Sequence, residues 1–433
     1  MAKGTYIQPE LAGGFRDYLP EDMIPRQKML DTIKTVFERF GFVPLETSSV
    51  QLTKVLLSEG EEADKLTYRL NPATRGDSGD AKDELSLRFD LTVSLARFIA
   101  GNQEKIKLPF KRYEIGKVWR GERQQAGRSK EFIQADADIV GSSDVAADAE
   151  IIALIYKTMR ALRFKDKDFI IKISNREILN QLPNAVGFDI EKLPQILRAL
   201  DKLDKIGWGG VKIEMCNFGL KEAQVDEIRE FVGKEDFANG DYRMLKLFLL
   251  PATGIPRCSY KFDFSVARGL GYYTGTVFET VLTKLPAIGS VISGGRYDSL
   301  VSRFGSRRVP AVGASVGVDR LFEAMEKLGM VKGEGKKAKV CVLNFEGGSD
   351  VQEQRMKVAS ELRAAKIPTD LFFVDMGSFN NQIGYAASQG YLVAVIVGDR
   401  EFSEKVVQVK DLKNRLPIEV SGDKVVETVK GLL

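Results

Sequence analysis

Glu131-Phe132-Ile133-Gln134-Ala135-Asp136-Ala137-Asp138-Ile139 is the stretch from which the fold can be read. Successive side chains of a strand point to opposite faces, so Gln134, Asp136 and Asp138 share one face while Ile133, Ala135, Ala137 and Ile139 take the other. The segment reads as an antiparallel strand with two carboxylates and an amide on one surface. A solvated outer face carries the same pattern, so periodicity alone leaves open whether that surface binds anything or meets water. Just upstream, Arg120-Gly121-Glu122-Arg123 and Arg128-Ser129-Lys130 flank a polar loop. They set cations beside the carboxylates, an arrangement suited to a triphosphate and an ammonium together.

Working outward, the segment from Arg112 to Val140 reads strand, polar loop, strand, and a helix is expected over Leu91 to Ala100. A turn-rich stretch, Asn71 to Asp83, separates Leu66-Thr67-Tyr68 from Leu85-Ser86-Leu87 as in a hairpin. Near the N-terminus Leu30, Ile33, Phe37 and Phe40 recur at three- and four-residue spacing, which predicts a helix with Pro25 in its first turn and Gly41 at its end. Phe42-Val43-Pro44-Leu45 follows as a strand whose proline confines it to an edge. Residues 177–257 read as mostly helical and charged, and strand signals resume at Tyr260, Thr276 and Ser290. The helical stretch therefore looks inserted between strands of one sheet.

A Gly- and Lys-rich stretch, 327–337, reads as a linker. Beyond it strands and helices alternate, the mark of a small α/β domain. The expected architecture is an α+β domain, an antiparallel sheet flanked by helices, made from 1–176 and 258–326 around a helical insertion, 177–257. An α/β domain over 338–433 follows.

At 433 residues the chain is too long for one ordinary core. Its 44% hydrophobic and 29% charged residues are those of a globular protein. The first residues lack the apolar core of a signal peptide, and no apolar run is long enough to span a bilayer; a cytoplasmic protein without membrane contact is expected. Cys216, Cys258 and Cys341 are far apart and form no CxxC pair, so they read as buried small hydrophobes. A formal net charge of +4 means that nucleic acid binding would rely on local patches. The chain has no histidine at all, which excludes Ser-His-Asp, Cys-His and His-metal chemistry. No side chain then has an unperturbed pKa between about 5 and 8.

Three more segments carry glycines beside charged or aromatic residues: Ala267-Arg268-Gly269-Leu270-Gly271-Tyr272-Tyr273-Thr274-Gly275-Thr276, Ser293-Gly294-Gly295-Arg296-Tyr297-Asp298, and Val312 through Gly317-Val318-Asp319-Arg320-Leu321. Neither of the last two has the spacing of a P-loop or of a dinucleotide fingerprint.

In this order these segments resemble the class II histidyl-tRNA synthetases, from about Gly13 to the C-terminus. The helix ending at Phe40 with Pro44 after it is similar to motif 1 of that class. Trp119-Arg120-Gly121-Glu122 through Glu131-Phe132 is similar to motif 2, and Gly317-Val318-Asp319-Arg320 to motif 3. The segments around Arg268 to Thr276 and Gly294 to Asp298 resemble the histidine-specific signatures, and Leu87-Arg88-Phe89-Asp90-Leu91-Thr92 resembles the segment that binds the substrate ammonium.

The resemblance implies the following roles. Arg120, Arg268 and Arg320 are catalytic: Arg120 on the α-phosphate of ATP and the substrate carboxylate region, Arg320 on the γ-phosphate, Arg268 bridging carboxylate and α-phosphate. Glu122 and Arg128 are further ATP contacts. Asp90, Thr92 and Gln134 bind the α-ammonium of histidine, while Asp138 and Tyr273, beside Tyr272, read the imidazole. ATP enters as its Mg2+ complex and no protein-bound metal is implied. The expected partners are tRNA-His, histidine, ATP and a second copy of the chain joined through motif 1, with the C-terminal domain on the anticodon. Two departures stand out: Gly271 replaces a usual aspartate, and Gly377-Ser378-Phe379-Asn380-Asn381-Gln382 lies where many relatives carry lysines. A regulatory paralogue without catalysis would be expected to lack the C-terminal domain and the phosphate-binding arginines; Arg120, Arg268 and Arg320 are all present.

Overall fold

The computed structural model describes residues 7–57, 67–71, 84–121, 129–234, 236–267, 272–331, 338–344, 347–373, 378–414 and 417–433. Two compact units form, one of residues 1–17 and 28–331, the other of residues 18–27 and 332–433.

The strands of the first unit are β1 (Val43–Pro44), β2 (Val50–Leu52), β3 (Tyr68–Leu70), β4 (Leu85–Leu87), β5 (Phe110–Trp119), β6 (Glu131–Val140), β7 (Phe169–Asn175), β8 (Tyr260–Phe262), β9 (Thr276–Leu282), β10 (Ser290–Arg296) and β11 (Ala311–Gly317). Among the described residues eight of them make one sheet, in the order β1-β5-β6-β11-β10-β9-β7-β8. Its inner pairs are antiparallel, and only the short outer strands β1 and β8 run parallel to their neighbours. Pro44, which has no N–H to give a second neighbour, lies in the edge strand β1. β2, β4 and β3 form a separate small sheet in which β4 is central.

β6 lies between β5 and β11, and its apolar face explains the position. Ala135, Ala137 and Ile139 are buried in one core with Ile151, Ile152 and Ile155 of the helix Ala146–Ala161 and Leu321 and Phe322 of the helix Val318–Lys327. Small alanines on the strand let the helices approach closely, and each large side chain buried there contributes roughly 1.5–3 kcal/mol. The helical stretch leaves the sheet after β7 and returns in β8; β7 and β8 are paired, so the excursion begins and ends at one edge. It has a core of its own around Ile196, Leu200, Met215 and Ile228.

In the second unit β12 (Val340–Val342), β13 (Thr369–Leu371), β14 (Val393–Ile396), β15 (Val406–Asp411) and β16 (Pro417–Ser421) form a sheet ordered β13-β12-β14-β15-β16. The first three are parallel and the last two antiparallel. The antiparallel pair was not anticipated. Its signal is the alternation that buries Val407 and Val409 and leaves Gln408 and Lys410 outside the core.

Two local expectations need correction. The N-terminal helix runs Pro20–Arg39, so Pro20 opens it and Pro25 sits inside rather than in the first turn. Of the cysteines only Cys341 is buried; Cys216 is half-buried, and Cys258, in a tight turn before β8, is exposed.

Candidate active site

The polar face of β6 does not meet water. Gln134, Asp136 and Asp138 are all buried, Asp138 to 3% exposure, so the solvated reading of that face falls. Cross-strand register explains what covers them. Asp138 is paired with Arg112 of β5 and Gly313 of β11, Asp136 with Glu114 and Ser315, and Gln134 with Gly116 and Gly317. The Arg112 guanidinium lies 2.9 Å from Oδ2 of Asp138, an ion pair rather than a well-aligned hydrogen bond. Tyr297, just past β10, donates its hydroxyl to Oδ1 of Asp138 at 2.5 Å. Gln134 donates through Nε2 to the Ser315 hydroxyl at 2.5 Å.

The next layer is a second ion pair. Arg88 donates to Glu114 at 2.7 Å and to the carbonyls of Thr47 and Lys117. Glu114 also accepts from the backbone N–H and hydroxyl of Thr47, both at 3.0 Å. Gly116 is required by this packing, since a Cβ there would lie 2.3 Å from the Arg88 guanidinium.

The segment Leu87 to Thr92 lies in the same region. Asp90 accepts from the Val93 N–H at 3.1 Å and from the Tyr272 hydroxyl at 3.4 Å, and Thr92 also bonds to Tyr272. Tyr272 packs edge-on against Tyr273 and Tyr297. Tyr273 presses so closely on β10 that a Cβ at Gly295 would come within 2.9 Å of its ring.

Arg120 is held beside Asp90: its Nε donates to the Phe89 carbonyl at 3.2 Å and its guanidinium lies 5.0 Å over the Phe132 ring. Asp319 accepts from the Ile133 N–H at 2.6 Å, which fastens the helix Val318–Lys327 to β6. Its neighbour Arg320 donates to the Ser290 carbonyl at 2.7 Å. Glu122, Arg128, Arg268 and Gly271 lie outside the described residues.

Burial controls the charges here. It pushes the Asp90 carboxyl up to about 6, against the opposing pull of the Val93 N–H, Arg120 and Tyr272. A carboxyl thus titrates in the range that the histidine-free composition left empty. Asp136 is raised by burial and then by the charge of Asp138, with Arg112 and Ser315 acting the other way. Asp138 is raised by burial and held down by Arg112 and Tyr297. Tyr272, Tyr273 and Tyr297 are raised by burial first, so each remains a neutral hydroxyl.

Three acceptors in this cluster, Oε1 of Gln134, Oδ1 of Asp136 and Oδ2 of Asp138, are buried with no hydrogen-bond donor among the described residues, the last facing Arg112 as an ion pair. Such atoms cost free energy unless something donates to them. The arrangement suits a small ligand rich in N–H groups.

Of the residues expected in the site, the structure brings Asp90, Thr92, Arg120, Gln134, Asp138, Tyr272 and Tyr273 into one region. Arg320 lies against β10 through the Ser290 carbonyl. Sequence reading passed over Arg112 and Glu114, and quoted Tyr297 within the Gly294 to Asp298 segment without giving it a role. For the first two the signal was the alternation of β5, which puts Arg112, Glu114 and Gly116 on one face. For Tyr297 the segment was legible but the partner was not, because Asp138 is 159 residues away.

Comparison with known proteins agrees with this geometry. Residues 14–321 match the histidyl-tRNA synthetase family model, and residues 339–432 match an anticodon binding domain model. The histidine–tRNA ligase of Wolinella succinogenes is 39% identical over 437 aligned positions, covering 95% of this chain and 96% of that protein. That of Clostridium tetani is 36% identical over 450 positions, covering 99% of each. The crystal structure of histidyl-tRNA synthetase from Nostoc sp. superposes with a TM-score of 0.82 at 29% identity, over 99% of this chain and 100% of that one. In sequence over nearly its whole length, and in fold, the chain belongs to the histidyl-tRNA synthetase family.

Proposed function

We propose that this chain joins histidine to tRNA-His in two steps at the site around β6. In the first, the ionised carboxylate of histidine attacks the α-phosphorus of ATP in line; a carboxyl–phosphate bond forms and pyrophosphate leaves. No protein base is required, which agrees with a chain that owns no histidine. In the second, a ribose hydroxyl of the terminal adenosine attacks the acyl carbon, its proton passes to a phosphate oxygen of the adenylate, and AMP leaves.

The observation that carries this reading is the pair of buried, unmatched acceptors on Gln134 and Asp136, in the same region as the buried carboxyl of Asp90. In our reading Gln134, Asp90 and Thr92 take the α-ammonium, and Asp138 accepts from the imidazole while the neutral Tyr273 hydroxyl meets its other nitrogen. A substrate lacking those groups would leave buried atoms unpaired, which discriminates far more strongly than an apolar pocket does. Arg120, beside Asp90, would hold the α-phosphate and the substrate carboxylate region. Arg268 stabilises charge at the α-phosphorus, Arg320 takes the γ-phosphate, and Glu122 and Arg128 add contacts to ATP, which enters as its Mg2+ complex.

Residues 338–433 would bind the anticodon, and two copies would pair through the N-terminal helix and the edge strand β1, whose Val43 is exposed. We place the protein in the cytoplasm; among the described residues no helix is long and apolar enough to cross a membrane. The test is ATP–pyrophosphate exchange with each of the twenty amino acids. Exchange is expected with histidine alone; exchange that is absent with histidine and present with another amino acid sinks the assignment.

A further inference from the structure

Buried arginines in this protein mostly stitch the backbone. Arg88 donates to the carbonyls of Thr47 at 2.8 Å and Lys117 at 3.0 Å. Arg296 donates to those of Ser142 at 2.9 Å and Asp144 at 3.1 Å, and Arg355 to those of Leu343 at 2.7 Å and Phe372 at 2.9 Å. Arg112 differs. It is the most deeply buried of these, at 0% exposure, and its guanidinium gives no hydrogen bond to a carbonyl among the described residues. Its close contacts are carboxylates, Asp138 at 2.9 Å and Glu114 at 3.7 Å.

Glu114 is already satisfied by Arg88 and Thr47, so the charge of Arg112 is left for the aspartates of β6. Asp138 is then held on three sides: Arg112 faces Oδ2, Tyr297 donates to Oδ1, and the bare Cα of Gly313 lies across the sheet. A carboxylate so clamped has one orientation, and each oxygen keeps a lone pair for a ligand. Without the cation, burial and then the charge of Glu114 would both oppose ionisation of Asp138.

We propose that Arg112 is a positioning residue for imidazole recognition: it fixes the direction of the Asp138 carboxylate without touching the substrate. This rests on the reading that Asp138 meets the imidazole.

The test is ATP–pyrophosphate exchange by the full-length protein, with histidine and ATP varied separately in Arg112→Met, Arg112→Lys, Asp138→Ala and the Arg112→Met/Asp138→Ala double variant. Arg112→Met should raise the histidine KM about tenfold or more, the scale of one charge-assisted hydrogen bond, with the ATP KM nearly unchanged. Arg112→Lys keeps a charge but loses the fork, so it should fall between wild type and Arg112→Met. The double variant should be no worse than Asp138→Ala, since the two residues act as one. Equal rises in both KM values, or losses that add in the double variant, would overturn the proposal. If Arg112→Met does not fold, Arg112→Lys decides: an unchanged histidine KM there also overturns it. Wild type that fails to exchange with histidine would overturn the functional reading itself, whereas histidine-dependent wild type with an indifferent Arg112→Met overturns only this inference.

Discussion

Gly313 is the cross-strand partner of Asp138, and a Cβ added to it would lie 1.9 Å from the aspartate's Oδ1. That oxygen also accepts the Tyr297 hydroxyl, so the carboxylate cannot retreat without breaking a buried hydrogen bond. The glycine is space reserved for a charged neighbour.

Gly313→Ala should therefore act as a site mutation although residue 313 contributes no functional group. We expect the histidine KM to rise about tenfold with the ATP KM little changed, and a stability loss of roughly 1–3 kcal/mol from overpacking. Steady-state exchange kinetics and denaturant unfolding check the two parts. A wild-type histidine KM would mean that the carboxylate has slack the packing does not show.

Removing the carboxylate itself should cost more specifically. Asp138→Ala loses a hydrogen bond involving a charged group, roughly 1.5–3 kcal/mol of histidine binding, and leaves Arg112 buried without its nearest anion. Isothermal titration with histidine, beside a melting curve, separates lost affinity from lost stability. Unaltered affinity in a folded variant would remove Asp138 from the site.

Asp90 predicts a pH dependence of stability with a definite sign. Its carboxyl is raised from 3.8 to about 6 by burial. A carboxyl raised on folding favours the fold fully below its unfolded pKa, and that contribution is lost as pH rises through the folded value. Between about pH 4 and 6 the apo protein should lose roughly 3 kcal/mol through this group, at 1.36 kcal/mol per pKa unit. Asp90→Asn cannot titrate, so the difference between its unfolding free energy and that of wild type should change across this window and level off above it. A difference flat with pH from 4 to 7 would show that Asp90 is ionised throughout. Because Asp90 titrates near the free imidazole of histidine, an inflection in kcat/KM near pH 6 must be assigned with a histidine analogue of lower ring pKa: a substrate inflection moves with the analogue and an Asp90 inflection stays.

The arginines should separate by substrate. Arg320 is held on the Ser290 carbonyl. Arg320→Met is expected to raise the ATP KM at least several-fold while the histidine KM stays close to wild type, as loss of a phosphate contact requires. Arg268→Ala should instead cut the rate of adenylation by about 10² to 10³, the loss typical of one transition-state donor, with a smaller effect on ATP affinity. Single-turnover adenylate formation measures both. If Arg268→Ala lowers ATP affinity and rate equally, the residue only anchors the ground state.

The one-dimensional pattern determined a good deal. Alternation on residues 131–139 and helical spacing on residues 30–40 are local properties of the chain, and the structure has a strand and a helix there. Pro44 marked an edge strand because a missing N–H is a covalent fact. The order of the glycine-flanked segments was enough to name the family.

Tertiary structure decided what those side chains are worth. Whether the polar face of β6 is wet or buried depends on what lies across it, and its cover comes from Arg112, Tyr297 and Gly313, distant in sequence and adjacent only through β5, β10 and β11. Burial then raises Asp90 into a range where the composition offered no titrating group, since a carboxyl's pKa is set by its dielectric surroundings and neighbouring charges. The sequence determined which groups are present and which way local backbone turns them. Charge state, clearance and unmatched acceptors arise only from long-range packing, because solvation and Coulomb energy depend on distances in space rather than along the chain.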